Sequence, residues 1–244
     1  MGPATDVARR GAMVVLLWMA SAAPAPASGP GPVTDWQRTA QGASGHTATH
    51  RFELEAWSDD TVRLRIAPTG TPRHRSYSLV GEAPPAYKGA RLRAARDRLV
   101  LATPALRVEL LLRPALRLRV LDAKGGLLNE DAPGEGLGLD QHGEAFTVHK
   151  AIQEGERFVG LGEALGDLDR RGTVVPLRNT DNYRYDDPHV PMYASIPFYM
   201  GLHHGRVYGL YVDNSHDAEF DLGATNEGIA SLRFEGVVMF VLLF

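Results

Sequence analysis

From residue 51 onward the chain alternates between apolar and polar positions. Phe52, Leu54 and Ala56 interleave with Arg51, Glu53 and Glu55, and Val62, Leu64 and Ile66 interleave with Arg63 and Arg65. A period of two, with β-branched residues on the apolar side, predicts half-buried strands. Ser58-Asp59-Asp60 between the two runs is turn chemistry, so the pair reads as a hairpin. Three more apolar runs follow at Leu99–Ala102, Leu106–Leu112 and Leu116–Leu121, with Pro104 and Pro114 in the gaps, where a missing N–H does no harm. Turns are predicted at Asp122–Gly126 and Ala132–Gly138, and strands at Phe146–His149 and Arg157–Leu161. Further on, Ile196–Leu202 and Val207–Val212 read as a pair turning at His203-His204-Gly205, and Phe220–Leu222 and Ile229–Phe234 flank a Gly223–Gly228 loop. No long amphipathic helix interrupts this series. Many short strands with regular turns predict an all-β sandwich or barrel. Arg91, Arg93, Arg117 and Arg119 alternate with apolar residues and mark solvated sheet faces.

The two ends depart from this pattern. Residues 1–27 read as a cleaved export signal: Arg9 and Arg10 form a basic start, Gly11–Ala20 an apolar core, and Ala20-Ser21-Ala22 and Ala25-Pro26-Ala27 two small-residue cleavage sites. That apolar core is too short to span a hydrocarbon layer of ~30 Å, so no membrane span is expected after cleavage. Residues 28–45, rich in Ala, Pro, Ser and Gly, read as a linker leading to a domain over 46–236. Val237–Phe244 is an unbroken apolar run, either a buried last strand or an edge prone to aggregation. The 244 residues are 44% apolar, enough for a sizeable core. A net charge of −3 gives no basic footprint and argues against a nucleic-acid partner. The absence of cysteine excludes disulfides and thiolate metal sites.

One stretch resists periodic reading. Between residues 163 and 197 acids, arginines, tyrosines and prolines crowd together with few core positions, which predicts an ordered functional loop. It is bracketed by Phe158-Val159-Gly160-Leu161-Gly162-Glu163 and by Gly209-Leu210-Tyr211-Val212-Asp213-Asn214-Ser215. Within it lie Leu168-Asp169-Arg170-Arg171-Gly172, Asn179-Thr180-Asp181, Asp187-Pro188 and Tyr193-Ala194-Ser195-Ile196-Pro197-Phe198. In this order the motifs resemble the N-terminal module of glycoside hydrolase family 31, the α-glucosidases and α-xylosidases. The resemblance implies a galactose-mutarotase-like β-sandwich (a supersandwich) whose long loop, near 163–195, reaches over the mouth of a catalytic barrel. It implies a carbohydrate partner, an α-glucoside or α-xyloside, and no cofactor. It also implies a substrate contact through Asp181, the acid of the Asn-Thr-Asp motif, with Asn179 and Thr180 beside it in the same site. A carboxylate suits that task because it accepts charge-assisted hydrogen bonds from two hydroxyls. Tyr183 and Tyr185 could offer ring faces to a sugar, although loop packing is the plainer reading. Arg178 and Arg184 are candidate partners for Asp181, and Arg170 and Arg171 are expected to pair with Asp167 or Asp169.

Retaining glycoside hydrolysis needs two carboxylates about 5–5.5 Å apart. In the family both are aspartates on barrel strands, and neither position exists here, so no catalytic residue is assigned. Residues 237–244 are unlike the family's polar continuation, which reads as truncation before the barrel. Other patterns fall away. Trp57-Ser58-Asp59 is a turn tip. Gly160, Gly162 and Gly166 are spaced one residue too widely for a dinucleotide loop and mark a bulge instead. His46 and His50 have metal-ligand spacing but lie at the linker boundary with no zincin Glu, so no metal is expected. The leading reading is thus a module of an exported α-glucosidase-like enzyme. The alternative is a free-standing carbohydrate-binding or interaction module. For the export signal the expected outcome is an N-terminus between Ala23 and Ser28 in the mature protein. Sequencing the N-terminus of exported material checks it, and an intact Met1 would refute it.

Overall fold

The computed structural model describes residues 29–70, 76–78, 87–134, 136–139, 145–183, 186–187, 190–235 and 239–243. The predicted export signal lies outside the described residues, as do Arg184, Tyr185 and Pro188. In chain order the strands are β1 (Val33–Arg38), β2 (Gly42–Thr47), β3 (His50–Ala56), β4 (Val62–Pro68), β5 (Arg91–Ala94) and β6 (Arg98–Ala102). Next come β7 (Leu106–Leu111), β8 (Arg117–Asp122), β9 (Leu127–Glu130), β10 (Leu137–Leu139), β11 (Ala145–Ala151) and β12 (Arg157–Gly162). The last six are β13 (Val174–Leu177), β14 (Ser195–His203), β15 (Arg206–Val212), β16 (Ala218–Leu222), β17 (Ile229–Glu235) and β18 (Met239–Leu243). Among the described residues there is no helix, as the all-β reading requires, and so none long and apolar enough to cross a membrane.

The strands form three antiparallel sheets. One has eight strands in the order β1-β2-β3-β4-β18-β15-β14-β12; the others run β10-β11-β17-β16-β13 and β5-β6-β7-β8-β9. The predicted hairpin is β3–β4, with Phe52, Leu54 and Ala56 opposite Ile66, Leu64 and Val62, all buried. Its charged face is laced across the strands by Arg65–Glu53 at 3.0 Å and Arg63–Glu55. Likewise Arg119 reaches Glu130 at 3.4 Å, and Glu109 is ringed by Arg98, Arg107 and Arg119, so the alternating arginines do line one charged face. β14 and β15 turn through His204 and Gly205 at positive φ, the geometry of a two-residue primed turn.

Two expectations need correction. Residues 33–47 are not linker but the first two strands. Gly42 and Gly45 are required there because a Cβ would come within 2.1 Å of the Leu54 carbonyl oxygen and 2.4 Å of that of Asp35. What composition presents as a flexible stretch is a pair of closely approaching backbones. The long loop is not wholly irregular: Val174–Leu177 pairs with β16, and its alternation buries Val175 and Leu177. The apolar run near the end takes the first of its two readings, a last strand inside the sheet: β18 lies between β4 and β15 and joins the two halves of the largest sheet.

The core gathers side chains from all three sheets. Tyr199 of β14 packs edge-on against Phe158 of β12 at 5.4 Å and against Phe220 of β16 at 6.2 Å, and Phe220 meets Phe234 of β17 at 5.5 Å. Beside them Tyr208 accepts a hydrogen bond from Asn129 of β9 at 3.1 Å and donates to buried Glu156 at 2.7 Å. Burial pushes the Glu156 carboxyl upward from its usual value. A buried ion pair ties two sheets together: Lys150 Nζ of β11 lies 2.6 Å from Asp131 Oδ1, and Asp131 Oδ2 takes the Leu118 N–H at 2.6 Å.

The loop leaves β12 through a bulge. The β12–β14 register shifts between Gly160 and Gly162, and Leu161 between them adopts φ 72° while fully buried. Arg170 then anchors the outgoing chain. Its guanidinium donates to the carbonyls of Leu165 at 2.6 Å and Ala164 at 2.8 Å, not to a carboxylate. Arg171 similarly donates to the carbonyls of Glu156, Gln153 and Glu227. Asp169 instead accepts the N–H groups of Phe158 and Arg171. The reason is supply: a segment without a ladder leaves carbonyls unpaired, and guanidinium is the side chain with donors to match several at once.

Two stability outcomes are expected. Lys150→Met strands the Asp131 carboxylate in the core and should cost about 3–5 kcal/mol in chemical denaturation; a loss below about 1 kcal/mol would refute a structural role for the pair. Arg170→Met unpairs two loop carbonyls and should cost about 1–3 kcal/mol, read the same way. An unchanged midpoint would mean the loop does not depend on this anchor.

Candidate functional site

After β13 the chain runs out over one end of the fold and returns at β14. It is tethered at several points. Asn179 Oδ1 accepts the Ser195 N–H at 2.8 Å, which closes the base of the excursion. The Thr180 N–H donates to Met192 O at 3.0 Å, and its hydroxyl donates to Pro191 O at 2.7 Å. The Tyr193 hydroxyl donates to Asn182 O at 2.7 Å, while Met192 is buried beneath. Asn179 and Thr180 therefore spend their polar atoms on the shape of the loop.

Asp181 stands between two tethered neighbours, Thr180 and Asn182. Its side chain is exposed and, among the described residues, makes no hydrogen bond or ion pair. Arg178, one of its candidate partners, is engaged elsewhere: its Nε lies 2.6 Å from Asp217 Oδ2. Tyr183 is 86% exposed beside it and does not pack into the loop. The structure thus presents Asp181 as a solvent-facing carboxylate on a tethered stretch of backbone.

Beneath the returning strand lies an open polar cleft of about 530 Å³. Asn179 forms part of one wall, with Ser195, Ile196 and Pro197 from the start of β14. Tyr211 and the segment Asp213–Ala218, from the end of β15 to the start of β16, form another. The Tyr211 hydroxyl is held by Ser78. Asp181 does not line this cleft, so the chain brings Asn179 to the cleft and leaves Asp181 exposed on the loop just past the Thr180–Met192 tether. Sequence reading singled out Asp213-Asn214-Ser215 only as the end of a strand. Its position facing the 178–180 segment depends on β13 pairing with β16, and β13 was hidden inside the apparent loop. Among the described residues no group of three or more His, Asp or Glu side chains is placed to hold a metal.

Comparison with known proteins fits this geometry. The family model described as the glycosyl hydrolase 31 N-terminal galactose mutarotase-like domain matches residues 51–221, from β3 through β16. Alpha-glucosidase 2 of Bacillus thermoamyloliquefaciens is 31% identical over 187 residues, which is 75% of this chain and 23% of that protein. An alpha-glucosidase of Saccharolobus solfataricus is 31% identical over 88 residues, 36% of this chain and 13% of the relative. Among solved structures, the Flavobacterium johnsoniae GH31 dextranase complexed with isomaltotriose superposes on 89% of this chain and 26% of its own with a TM-score of 0.78 at 23% identity. A GH31 alpha-xylosidase from a soil metagenome, complexed with xylose, covers 86% of this chain and 32% of its own with a TM-score of 0.68 at 16% identity. The chain spans about a quarter of the length of the first of these relatives. Matched over most of its length, and sharing the fold of these enzymes, the chain belongs to the glycosyl hydrolase 31 N-terminal galactose mutarotase-like domain family.

Proposed function

We propose that this chain is the N-terminal module of an exported, retaining α-glucosidase-like enzyme and lends a substrate-contacting loop to a catalytic barrel. In this reading the three sheets build the supersandwich frame on which the loop is mounted. The observation that carries the proposal is Asp181, an exposed carboxylate between two tethered residues of a built loop. A carboxylate so placed has both oxygens available to sugar hydroxyls, on a backbone already tethered at its two neighbours. In this reading Asn179 and Thr180, both tethered, position the loop, and of the two only Asn179 also lines the cleft. The division of labour is chemical. Retention requires a nucleophile and an acid within about 5–5.5 Å, supplied by the barrel, while this module contributes a hydrogen bond that orients the sugar near the cleavage point.

Two outcomes test the reading. The purified chain alone should give no turnover of an aryl α-glucoside; hydrolysis by a preparation free of host enzymes would overturn it. In a form carrying a family 31 barrel, Asp181→Asn should lower kcat/KM by roughly ten- to a hundredfold. A hydrogen bond to a charged group contributes about 1.5–3 kcal/mol, and each 1.4 kcal/mol is about tenfold. The melting temperature should stay within about 2 °C, because an exposed loop carboxylate carries little of the core. Unchanged kcat/KM with a lowered melting temperature would make Asp181 a structural loop residue.

A further inference from the structure

The cleft beside the loop contains a charged group that the chain itself leaves unsatisfied. Asp213 follows the last residue of β15 and is only 7% exposed, yet it lines the cleft. Among the described residues its carboxylate accepts no hydrogen bond and makes no ion pair. The neighbouring acids differ. Asp217 is paired with Arg178 at 2.6 Å, and Asp221 accepts the N–H groups of Gly223, Ala224 and Thr225. Asp213 thus presents to the cleft a carboxylate that no donor of the described chain occupies, open to a partner arriving from outside.

The remaining lining says what kind of partner fits. Asn179, Ser195 and Ser215 offer neutral polar groups, while Ile196, Pro197 and the ring of Tyr211 offer apolar surface. A pyranose ring has the same two characters, a rim of hydroxyl donors and a face of C–H groups. The cleft, at about 530 Å³, has the size of a small-molecule site. Nearby Asp217 is already paired with Arg178, which leaves Asp213 as the carboxylate of the cleft open to a donor-rich ligand.

We propose that the Asp213 cleft is a carbohydrate-binding site of its own, distinct from the Asp181 loop, in which Asp213 accepts hydrogen bonds from vicinal sugar hydroxyls and the Tyr211–Ile196–Pro197 surface carries the ring. The ligand class rests on the family 31 reading above; the site rests on the unpartnered carboxylate and the cleft around it. Asp181 then takes no part in binding here, because it does not line the cleft.

Calorimetric titration of the isolated chain with maltotriose and isomaltotriose tests this without any catalytic domain. The parent chain should bind at least one of the two at millimolar concentration. Asp213→Asn should weaken binding at least about tenfold, the cost of losing charge assistance, while Asp181→Asn leaves it unchanged. Ser215→Arg, at an exposed position of the rim, should block the cleft without touching the core, and it serves as the deciding variant if Asp213→Asn unfolds. No binding by the parent overturns the proposal, as does binding indifferent to both cleft substitutions. Loss of binding with Asp181→Asn alone overturns the cleft site while leaving the Asp181 role intact. Failure of the enzyme reading would show separately, in kcat/KM of the barrel-bearing form.

Discussion

Tyr199 is the point at which the separate sheets become one frame. Its ring touches Phe158 from the neighbouring strand of its own sheet and Phe220 from the sheet that contains β13. It also meets Tyr208, whose hydroxyl takes the hydrogen bond from Asn129 of the third sheet. Edge-to-face pairs of this kind add about 0.5–1.5 kcal/mol each beyond the burial of their area. The geometric consequence matters more than the sum. The functional loop leaves from β12, touches down as β13 and returns as β14. Phe158 lies on β12, Tyr199 on β14, and β13 is hydrogen-bonded to the strand that carries Phe220. Every point from which the loop is suspended is therefore fixed through one aromatic contact set. Without it Asp181 would have a tether but no fixed frame.

Upon that frame the loop is ordered by local hydrogen bonds, because it has few apolar side chains to bury. The Gly160–Gly162 bulge turns the chain out of the ladder, and at both glycines a side chain would strike the backbone of the returning strand. Arg170 and Arg171 then supply donors to carbonyls that no neighbouring strand can reach. Asn179 and Thr180 close the far side. The segment is mostly polar yet built, with Val175, Leu177 and Met192 as its few buried apolar side chains, which is the condition for a surface that meets a hydroxylated ligand without reorganising.

Much of this was legible in the alternation of apolar and polar residues, since half-buried strands must repeat with a period of two. The β3–β4 hairpin and the β14–β15 pair follow that rule and fold as read. The strands that escaped notice break it for identifiable reasons. β2 carries glycine, serine and alanine because at Gly42 and Gly45 its backbone lies too close to β3 and β1 for a side chain, so a structural demand for small residues looks like linker composition. β13 is only four residues long and contains Pro176, which hides its alternation. Arg170 and Arg171 suggested carboxylate partners because charge is visible in a sequence, whereas an unpaired carbonyl is not. The Asn-Thr-Asp motif marked the loop, but the separation of its residues between a cleft and an exposed loop exists only in three dimensions. Asp213 was visible as a motif residue, and nothing in the sequence disclosed that its carboxylate would line a cleft with no donor from the described chain.

The central claim is that this frame presents the loop ready-made, before any catalytic domain or sugar is present. Amide hydrogen exchange of the isolated chain at Thr180 and Ser195 measures it directly. The Thr180 N–H is held by Met192 O at 3.0 Å and the Ser195 N–H by Asn179 Oδ1 at 2.8 Å. A preformed loop predicts that both amides exchange at least about a hundredfold more slowly than an open chain, approaching the protection of the β14–β15 ladder. Exchange of both at the unprotected rate, with the ladder still protected, would show a loop ordered only by its partner and would contradict the account.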